Sequence, residues 1–361
     1  MQTKTISFNG KELKTPNLFV SYTYHKSFLD GGLKHYPWKE TNTNAILVNA
    51  YDLMKEKFEG DIHKNLNFSG PIMIDSGGYY LLSRDLNVDP RDILDVEIKS
   101  GADFGVILDY PFLENGKGKF KRIKKTLKNT EIMYAKLKEY NDKFKILPVV
   151  HGHCPRTLKT SMDGITAIMM KYNGGEIESV GIGSLAPLSR CGYPQKIKIV
   201  DILTRVRKNL PDAHIHCFSL GSAVMMHLAF YCGADTVDSQ SWIVGAGYKL
   251  VQLPGFKLTR LSKKEPKFEN NLKEFENHYR KLEKEEDFQI PFPIEKLIDN
   301  ECNNVHYRAV HNLSVYYYEV KKIQEAIEDN KLDEFIEQRV KDTYFYNVFK
   351  YAKERVSKIN T

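Results

Sequence analysis

The sequence lacks several features that would define other classes of protein. It contains no run approaching the ~18 apolar residues of a membrane-spanning helix, and its first eight residues contain no apolar signal segment. Its five cysteines are scattered without a pairing pattern, as is typical of proteins in a reducing compartment. These absences argue against a membrane protein and against a disulfide scaffold, and we expect a soluble, cytoplasmic protein.

Two further absences bear on the fold. No Gly-x-Gly-x-x-Gly motif follows the first apolar run, which weakens a dinucleotide-binding interpretation. The chain of 361 residues also contains no internal repeat and no low-complexity linker. Its hydrophobic share of 42% suits a globular core, so one large domain with additional helices could account for the whole length.

Short apolar or β-branched runs are the main regular feature that is present. Eight of them precede residue 245: Leu18–Tyr24, Ala45–Ala50, Pro71–Asp75, Phe104–Asp109, Ile146–His151, Val180–Leu185, Ile215–Leu220 and Thr236–Ser239. Helical patterns separate most of them: Asp92–Ser100, Lys121–Tyr140, Arg156–Tyr172, Gln195–Asn209 and Ala223–Cys232. Apolar strands alternating with helices are typical of a parallel sheet covered by helices. Eight such units predict an α/β fold, a (β/α)8 TIM barrel, ahead of an open doubly wound sheet.

The spacing of the runs also predicts how the chain is divided. Residues 26–44 do not look helical, and the composition changes near residue 255, after which Lys and Glu dominate. Apolar spacing typical of helices returns after residue 305. We therefore predict a barrel with the catalytic face over residues 1–255, a charged helical insertion over 256–304, and C-terminal helices over 305–361, the first of which closes the barrel.

Polar residues or glycines stand where six consecutive runs end. They are Asp75, Asp109, His151, Ser184, Gly221 and Asp238. A lone Asp at a strand end is more often a helix N-cap than a catalyst, but capping alone does not explain six such positions. An α/β barrel builds its active site at this rim. A pair of carboxylates there, such as Asp75 and Asp238, can cut and remake a glycosidic bond, because one attacks the sugar carbon and the other moves the leaving group's proton.

The net charge of +7 is concentrated in two basic stretches. The first contains Lys117, Lys119, Lys121, Arg122, Lys124, Lys125 and Lys128, and the second contains Lys249, Lys257, Arg260, Lys263, Lys264 and Lys267. Lys-rich stretches are often only solvated helix faces. Each stretch follows a run that ends in a proposed active-site Asp, however, and this favours contacts with the phosphates of a polyanion.

Several short segments together resemble the ordered motifs of the tRNA-guanine transglycosylase superfamily. They are Asp75-Ser-Gly-Gly-Tyr79, Leu108-Asp109, Val150-His151-Gly152, Gly183-Ser184-Leu185-Ala186, Leu220-Gly221, Gly233-Ala-Asp-Thr-Val-Asp238 and His311-Asn312-Leu313. The resemblance covers roughly residues 15–330 and rests on the order and spacing of all of them. It implies base exchange on a nucleic acid, with Asp238 as the nucleophile that attacks C1′ of a guanosine and Asp75 as the acid and base that serves the departing and incoming bases.

The resemblance also implies a pocket for a flat purine. Tyr79 and Leu220 match the residues that sandwich the base, and Asp109 matches a carboxylate that accepts hydrogen bonds from its N–H edge. Ser184 and Leu185 match backbone amides that meet the carbonyl of the base. The remaining expected base-binding positions are Gly183, Gly221 and His151, of which the last is commonly Gln in the family.

Departures from the family pattern led to two further expectations. The Cys-x-Cys-x-x-Cys zinc cluster of members acting on tRNA is missing, with only Cys302 and His306 before His311, so no metal and no cofactor are expected. Asp238 continues into Ser239–Ile243 rather than a basic Pro-Thr-Arg segment. The chain is therefore more similar to the branch that inserts 7-deazaguanines into DNA. We expect DNA and a free 7-deazaguanine base as partners, with tRNA as the alternative and a homodimer left open.

Two rival interpretations remain. His151-Gly152-His153 could belong to a metal-dependent hydrolase, but His214 and His216 lie early in their run and are expected to point away from the catalytic rim. A catalytically silent partner subunit is the non-enzymatic alternative. Because both Asp75 and Asp238 are present, the sequence favours an enzyme.

Overall fold

The computed structural model describes residues 2–25, 32–84, 86–112, 118–140, 144–255, 257–298 and 304–360. The strands are β1 Lys4–Phe8, β2 Lys11–Thr15, β3 Asn17–Tyr22, β4 Ile46–Asn49, β5 Ile72–Asp75, β6 Phe104–Val106, β7 Lys145–Leu147, β8 Val149–His151, β9 Ser179–Gly183, β10 His214–Cys217, β11 Thr236–Ser239, β12 Leu250–Val251 and β13 Thr259–Arg260. The helices are α1 Ala50–Lys55, α2 Ile62–Leu66, α3 Gly78–Ser83, α4 Pro90–Lys99, α5 Lys119–Leu137, α6 Pro155–Tyr172, α7 Ala186–Ser189, α8 Tyr193–Asn209, α9 Ala223–Tyr231, α10 Ser241–Gly247, α11 Phe268–Glu286, α12 Asn304–Glu328, α13 Leu332–Val340 and α14 Phe345–Asn360.

Nine parallel strand segments form the central sheet, in the order β7-β6-β5-β4-β3-β11-β10-β9-β8. The two end segments, β7 and β8, are consecutive pieces of one run that is interrupted at Pro148. The sheet therefore closes on itself as a barrel of eight strands whose fifth strand is broken. Proline has no backbone N–H for a strand ladder, but the Pro148 carbonyl still accepts a hydrogen bond from the Gly181 N–H at 2.8 Å. The predicted α/β barrel is confirmed.

The strands are shorter than the apolar runs that predicted them. The run Phe104–Asp109 forms a ladder only over Phe104–Val106, because its partner β7 ends just before Pro148. Beyond the ladder, the Leu108 carbonyl accepts a hydrogen bond from the Asn129 side chain at 2.9 Å. Asp109 therefore lies in the loop that follows β6, rather than at its last ladder position.

The segment between β3 and β4 lacks an α-helix in the residues described there, 32–44, and includes the 3-10 turn Pro37–Lys39. Helix α12, from the far end of the chain, packs against β3 and against this turn. The Tyr317 hydroxyl of α12 donates to the Leu18 carbonyl of β3 at 2.9 Å. In most α/β barrels each strand is covered by the helix that follows it in sequence. Here β3 is covered by α12, which is distant in sequence.

The β1–β2 hairpin covers the barrel end at which the strands begin. Phe8 stacks on Phe104, with ring centroids 4.1 Å apart, and makes edge contacts with Phe19 and His214. Lys11 of the hairpin forms an ion pair at 2.8 Å with the buried Asp103, which precedes β6. These apolar and polar contacts close the end of the barrel at which the strands begin. A binding site for a substrate is therefore expected at the other end, where the strands finish.

The C-terminal helices are joined by a buried ion-pair network. Arg339 of α13 donates from Nε to Glu319 of α12 at 3.1 Å and from Nη1 to Glu286 of α11 at 2.7 Å. His227 of α9 lies 3.0 Å from the same Glu319 oxygen. Although burial alone would raise the pKa of Glu319, Arg339 and His227 lower it to about 2. Among the described helices, none combines the length and apolarity needed to cross a membrane.

Candidate active site

A cavity of about 500 Å³ opens at the C-terminal ends of the barrel strands. Asp75 of β5 and Asp238 of β11 both line it, as expected for a pair that acts on one substrate. Other residues that line the cavity are Ser21, Asn49, Tyr79, Asp109, Phe112, Gly183, Ser184, Leu185 and Ser219. The structure thus brings together side chains from distant parts of the sequence.

Asp238 is held by hydrogen-bond donors on both carboxylate oxygens. The Ser219 backbone N–H donates to Oδ1 at 2.7 Å, and the Ser21 hydroxyl donates to Oδ2 at 2.8 Å. Ser219 adopts a positive φ of 62°, so a strained turn after β10 directs this N–H at the carboxylate. Donors on both oxygens fix the orientation of this carboxylate at the cavity, as is required of a group that attacks a substrate atom.

His216 lies directly below Asp238, contrary to the expectation that it points away from the rim. Its Nε2 is 3.5 Å from Asp238 Oδ1, and its Nδ1 is 2.9 Å from the Thr236 hydroxyl, which His214 also contacts at 2.7 Å. Side chains alternate along a strand, so an inward-facing residue one layer below the rim comes to lie under the rim carboxylate. Both histidines belong to the barrel interior.

Asp75 is in a different electrostatic environment from Asp238. Its Oδ2 accepts hydrogen bonds from the Asn49 side chain at 3.1 Å and from the Gly77 N–H at 3.3 Å. Burial, together with the neighbouring carboxylates Asp109 and Asp238, raises the pKa of Asp75 to about 8. Asp75 therefore carries a proton at neutral pH and can give it to a leaving group.

Asp109 and Tyr79 provide a polar edge and an aromatic face beside Asp75. A Cβ at Gly78 would collide with the Asp109 carboxylate and carbonyl, so this glycine permits helix α3 to begin against Asp109. The Tyr79 side chain is 56% exposed and lines the cavity. An exposed aromatic ring at a cavity mouth can stack on a flat base.

Ser184 occupies the turn after β9 and connects the two sides of the cavity. It is a non-glycine residue with a positive φ of 64°. Its hydroxyl oxygen accepts the Phe112 N–H at 2.8 Å and lies 2.8 Å from His151 Nδ1. His151 Nε2 is in turn 3.2 Å from Asp109 Oδ2.

The expected base-binding residues fall into two layers. Tyr79, Asp109, Gly183, Ser184 and Leu185 line the cavity. The other three, His151, Leu220 and Gly221, are not among its lining residues in the described part of the chain; they are buried behind it. A direct contact between the base and this second layer would require movement, so the structure brings only the first layer to the cavity.

The first basic stretch lies beside Asp109, as the sequence suggested. Lys125 of α5 lies 4.7 Å from the Tyr110 ring and lines a smaller cavity of about 350 Å³ that it shares with Asp109. Arg122 donates to the Pro111 carbonyl at 2.9 Å, so part of its hydrogen-bonding capacity supports the loop itself. Lys121 and Lys124 are exposed. Lys117 lies outside the described residues.

The second basic stretch is partly neutralised by nearby acidic residues. Lys257 pairs with Glu274 at 2.5 Å, and Arg260 pairs with Glu265 at 2.9 Å. Lys263 and Lys264 are exposed, while Lys249 is half-buried with a φ of 64°. Charge density in the sequence therefore overstates the positive charge that this stretch presents.

One cluster among the described residues has the donor set of a metal site. His35 Nε2 and His306 Nε2 lie 2.6 and 2.8 Å from Glu40 Oε1. The Lys34 N–H donates to His306 Nδ1 at 3.3 Å, which leaves the ring proton on Nε2, facing the carboxylate. These contacts are complete as hydrogen bonds, so the cluster does not require a metal.

His311 is separate from this cluster. Its Nε2 lies 2.6 Å from the Gln252 carbonyl oxygen, and burial lowers the pKa of His311 to about 4. Cys302, the one cysteine near it in sequence, lies outside the described residues. The absence of a metal stays a prediction.

Several site residues were missed by reasoning from the sequence. Asn49 could have been found, because it is a polar residue at the end of an apolar strand, like Asp75. Ser21 and Ser219 gave no such signal, since single serines near strand ends are common. Their role is visible only through their hydrogen bonds to Asp238.

With this geometry established, comparisons with known sequences identify the class of protein. The model of the family described as "Queuine tRNA-ribosyltransferase" matches residues 2–344, so the chain belongs to this family. It is therefore an enzyme of the guanine transglycosylase class, which transfers pentosyl groups.

Three relatives are each named tRNA-guanine(15) transglycosylase. The protein from Nanoarchaeum equitans is 28% identical over 342 residues, which cover 92% of this chain and 73% of the relative. Those from Methanobrevibacter smithii and Methanococcus aeolicus are 27% and 26% identical, over 92% and 82% of this chain. The chain spans 47% and 43% of these last two relatives, and thus less than half of their length.

Proposed function

We propose that this protein exchanges guanine in tRNA for a free base through a covalent intermediate on Asp238. The observation that carries the proposal is the contrast between two carboxyl groups in one cavity. Asp75 has its pKa raised to about 8, whereas Asp238 accepts hydrogen bonds on both oxygens. Carboxyl groups with opposed environments are suited to separate roles as acid and nucleophile.

The proposed reaction proceeds in two displacements. An Asp238 oxygen attacks C1′ of the target guanosine while the bond from C1′ to the base nitrogen breaks, and Asp75 gives its proton to the departing base. Guanine leaves, and a free base takes its place. Asp75 then accepts the N–H proton of the incoming base as its nitrogen attacks C1′ and releases Asp238. The second step reverses the first, so the proton balance is restored.

The same cavity would recognise the base. Tyr79 would cover its face, and Asp109 would accept hydrogen bonds from its N–H edge. The turn at Ser184 and Leu185 would supply a backbone N–H to its carbonyl. A 7-deazaguanine presents the same edge and carbonyl as guanine, so either base fits this arrangement. The target base must leave its stack to reach the cavity, at a cost of a few kcal/mol in a duplex.

The choice of polymer changes from the initial expectation. The missing tRNA-reading elements favoured DNA, whereas the relatives described above are named for tRNA. A missing element is weaker support than similarity over most of this chain to proteins named for one substrate class, so tRNA is the better proposal.

Exchange of radiolabelled guanine tests the proposal directly. Purified protein should incorporate label into total tRNA and not into duplex or single-stranded DNA, and Asp238→Asn should incorporate none. Nucleoside mass spectrometry of both polymers, with 7-deazaguanine bases supplied, would identify the base inserted. Label found only in DNA would restore the original expectation, and no label in either polymer would support the silent-subunit alternative.

Lysines of α5 give a second test, of the nucleic-acid interface. Lys121→Ala with Lys124→Ala should weaken tRNA binding and lower the slope of log affinity against log salt by about one for each lost phosphate contact. The matched control is Lys136→Ala with Lys138→Ala, roughly 20 Å away at the other end of the helix, at 1.5 Å per residue. Equal losses in the two double variants would contradict a localised interface.

A further inference from the structure

The motif His151-Gly152-His153 is not explained by the reaction just described, yet both of its histidines contact Ser184. His151 Nδ1 lies 2.8 Å from the Ser184 hydroxyl oxygen, and His153 Nε2 lies 2.7 Å from the Ser184 carbonyl oxygen. Neither histidine lines the cavity, whereas Ser184 does. The motif therefore acts on the cavity through this one residue.

The direction of the first hydrogen bond can be deduced from its neighbours. The Ser184 hydroxyl oxygen accepts the Phe112 N–H at 2.8 Å and could accept a second proton, but an unprotonated Nε2 of His151 would direct its lone pair at the Asp109 carboxylate, so we assign the ring proton to Nε2 and the hydroxyl as donor to Nδ1. His151 Nε2 is 3.2 Å from Asp109 Oδ2. The geometry is not that of a hydrogen bond, but the two atoms are close enough for the positive N–H edge of the ring to attract the Asp109 carboxylate and hold it in place.

The second hydrogen bond orients a peptide group. Burial lowers the pKa of His153, so the ring is neutral and donates from Nε2 to the Ser184 carbonyl. Across a planar trans peptide, the Leu185 N–H points opposite to the Ser184 carbonyl. The N–H is therefore directed away from His153, and both residues of this peptide group line the cavity.

Two glycines permit this arrangement. A Cβ at Gly183 would come within 2.5 Å of His151 Cε1, so only glycine lets the imidazole cross β9. A Cβ at Gly152 would come within 2.5 Å of Leu158 Cα, so glycine between the histidines lets the loop pack against α6. The positive φ of Ser184, 64°, is a strained conformation that the two imidazoles hold.

We propose that His151 and His153 form a clamp on Ser184 that sets the base specificity of the cavity. Through His151, the clamp holds Asp109 as an acceptor for the adjacent N–H and 2-amino donors of the base. Through His153, it directs the Leu185 N–H at the 6-oxo group. The class of ligand selected is a purine or 7-deazapurine with a 2-amino and a 6-oxo group. This inference rests on the proposed function, and both histidines are positioning residues rather than catalytic ones.

The clamp predicts different effects for its two halves. His151→Leu should raise the KM for guanine ~10–100-fold, the range expected when one hydrogen bond to a charged group is lost, with a smaller change in kcat. It should also reduce the preference for guanine over hypoxanthine, which lacks the 2-amino group. His153→Leu should raise the KM for both bases equally, because both carry the 6-oxo group.

Rescue separates positioning from general damage to the fold. His151→Gln should restore guanine preference, because its amide offers one acceptor to Ser184 and one donor to Asp109. The matched control is His278→Leu, since His278 Nε2 also contacts a backbone carbonyl, that of Pro254 at 2.8 Å, on the distant helix α11. It should leave KM unchanged. Thermal unfolding of each variant identifies any loss of folded protein.

Equilibrium dialysis with radiolabelled guanine and hypoxanthine measures the same preference without requiring exchange. If wild-type protein binds guanine selectively and His151→Leu binds both bases alike, the clamp is supported even if no polymer is labelled. If the folded His151→Leu variant keeps the wild-type preference and affinity, the clamp is refuted, whether or not exchange occurs.

Discussion

The raised pKa of Asp75 leads to a prediction about both activity and stability. Its value of about 8, against an ordinary 3.8, arises from burial and from the nearby Asp109 and Asp238 carboxylates. At 1.36 kcal/mol per pH unit, this difference corresponds to at most about 6 kcal/mol that opposes ionisation in the folded protein. The protonated form is required to release the base, so exchange should fall as the pH rises above about 8.

The same difference fixes the sign of the stability change. Between pH 4 and pH 8 the unfolded chain has lost this proton and the folded chain has kept it, so the free energy of unfolding should decrease as the pH rises. Above about 8 both states are ionised and this contribution becomes constant. Asp75→Asn cannot ionise, so its stability should lack this decrease.

The assay combines exchange kinetics with denaturant unfolding from pH 5 to pH 9. Asp75→Asn should lower kcat 10²–10⁴-fold, the usual contribution of a positioned proton donor, and should still bind guanine. The residual exchange rate of this variant should not show the decrease above about pH 8 that is expected of the wild type. Wild-type kcat in this variant, or identical pH dependence of unfolding in the two proteins, would refute the reasoning.

Three further predictions concern the nucleophile, metal and the C-terminal helices. Asp238→Asn should form no covalent adduct with tRNA on denaturing gels while still binding it; an adduct in this variant would mean that another residue attacks. A strong chelator should change neither the thermal midpoint nor the exchange rate, because the His35, Glu40 and His306 contacts are complete without an ion; stoichiometric zinc in the purified protein would contradict this. Arg339→Leu should reduce the free energy of unfolding by about 3–5 kcal/mol, since it leaves Glu319 buried beside His227 alone. The pKa of Glu319 is lowered from 4.5 to about 2, so the stability that its ionised form contributes is present above pH 4.5 and lost as the pH falls towards 2. Urea denaturation of the wild type and of Arg339→Leu should therefore show a larger stability difference at pH 7 than at pH 3. An equal difference at the two pH values would contradict a role for this ion pair.

Local sequence was enough to predict the barrel and the position of its rim. An apolar run that ends in a polar residue is readable along the chain, and parallel strands in a barrel all end on the same side. Asp75 and Asp238 could therefore be assigned to one face without any coordinates. Asn49 is also a polar residue at the end of an apolar strand. It was overlooked because the predicted run, Ala45–Ala50, included one residue beyond it.

Local sequence could not determine what each group meets inside the barrel. His216 was expected to point away, but the closure of the sheet brings it under Asp238. Charge density suggested a free basic surface at Lys257, but α11 pairs this lysine with Glu274. His216 and Asp238 lie on different strands, and Lys257 lies before β13 whereas Glu274 lies on α11. Whether such residues meet depends on how whole strands and helices pack, which the local sequence does not show.

The chemistry of the cavity depends on the tertiary structure most strongly. Asp75, Asp109 and Asp238 are far apart in sequence, and nothing in the local sequence of any of them shows that it faces the other two. Only the closed barrel places them around one cavity, where burial first, and then the neighbouring Asp109 and Asp238 carboxylates, raise the pKa of Asp75. The sequence by itself determined which groups reach the rim, because strand direction is a local property. The raised pKa of Asp75 and the partners of each group were decided by the fold, because electrostatic interactions and hydrogen bonds depend on distance and burial in space.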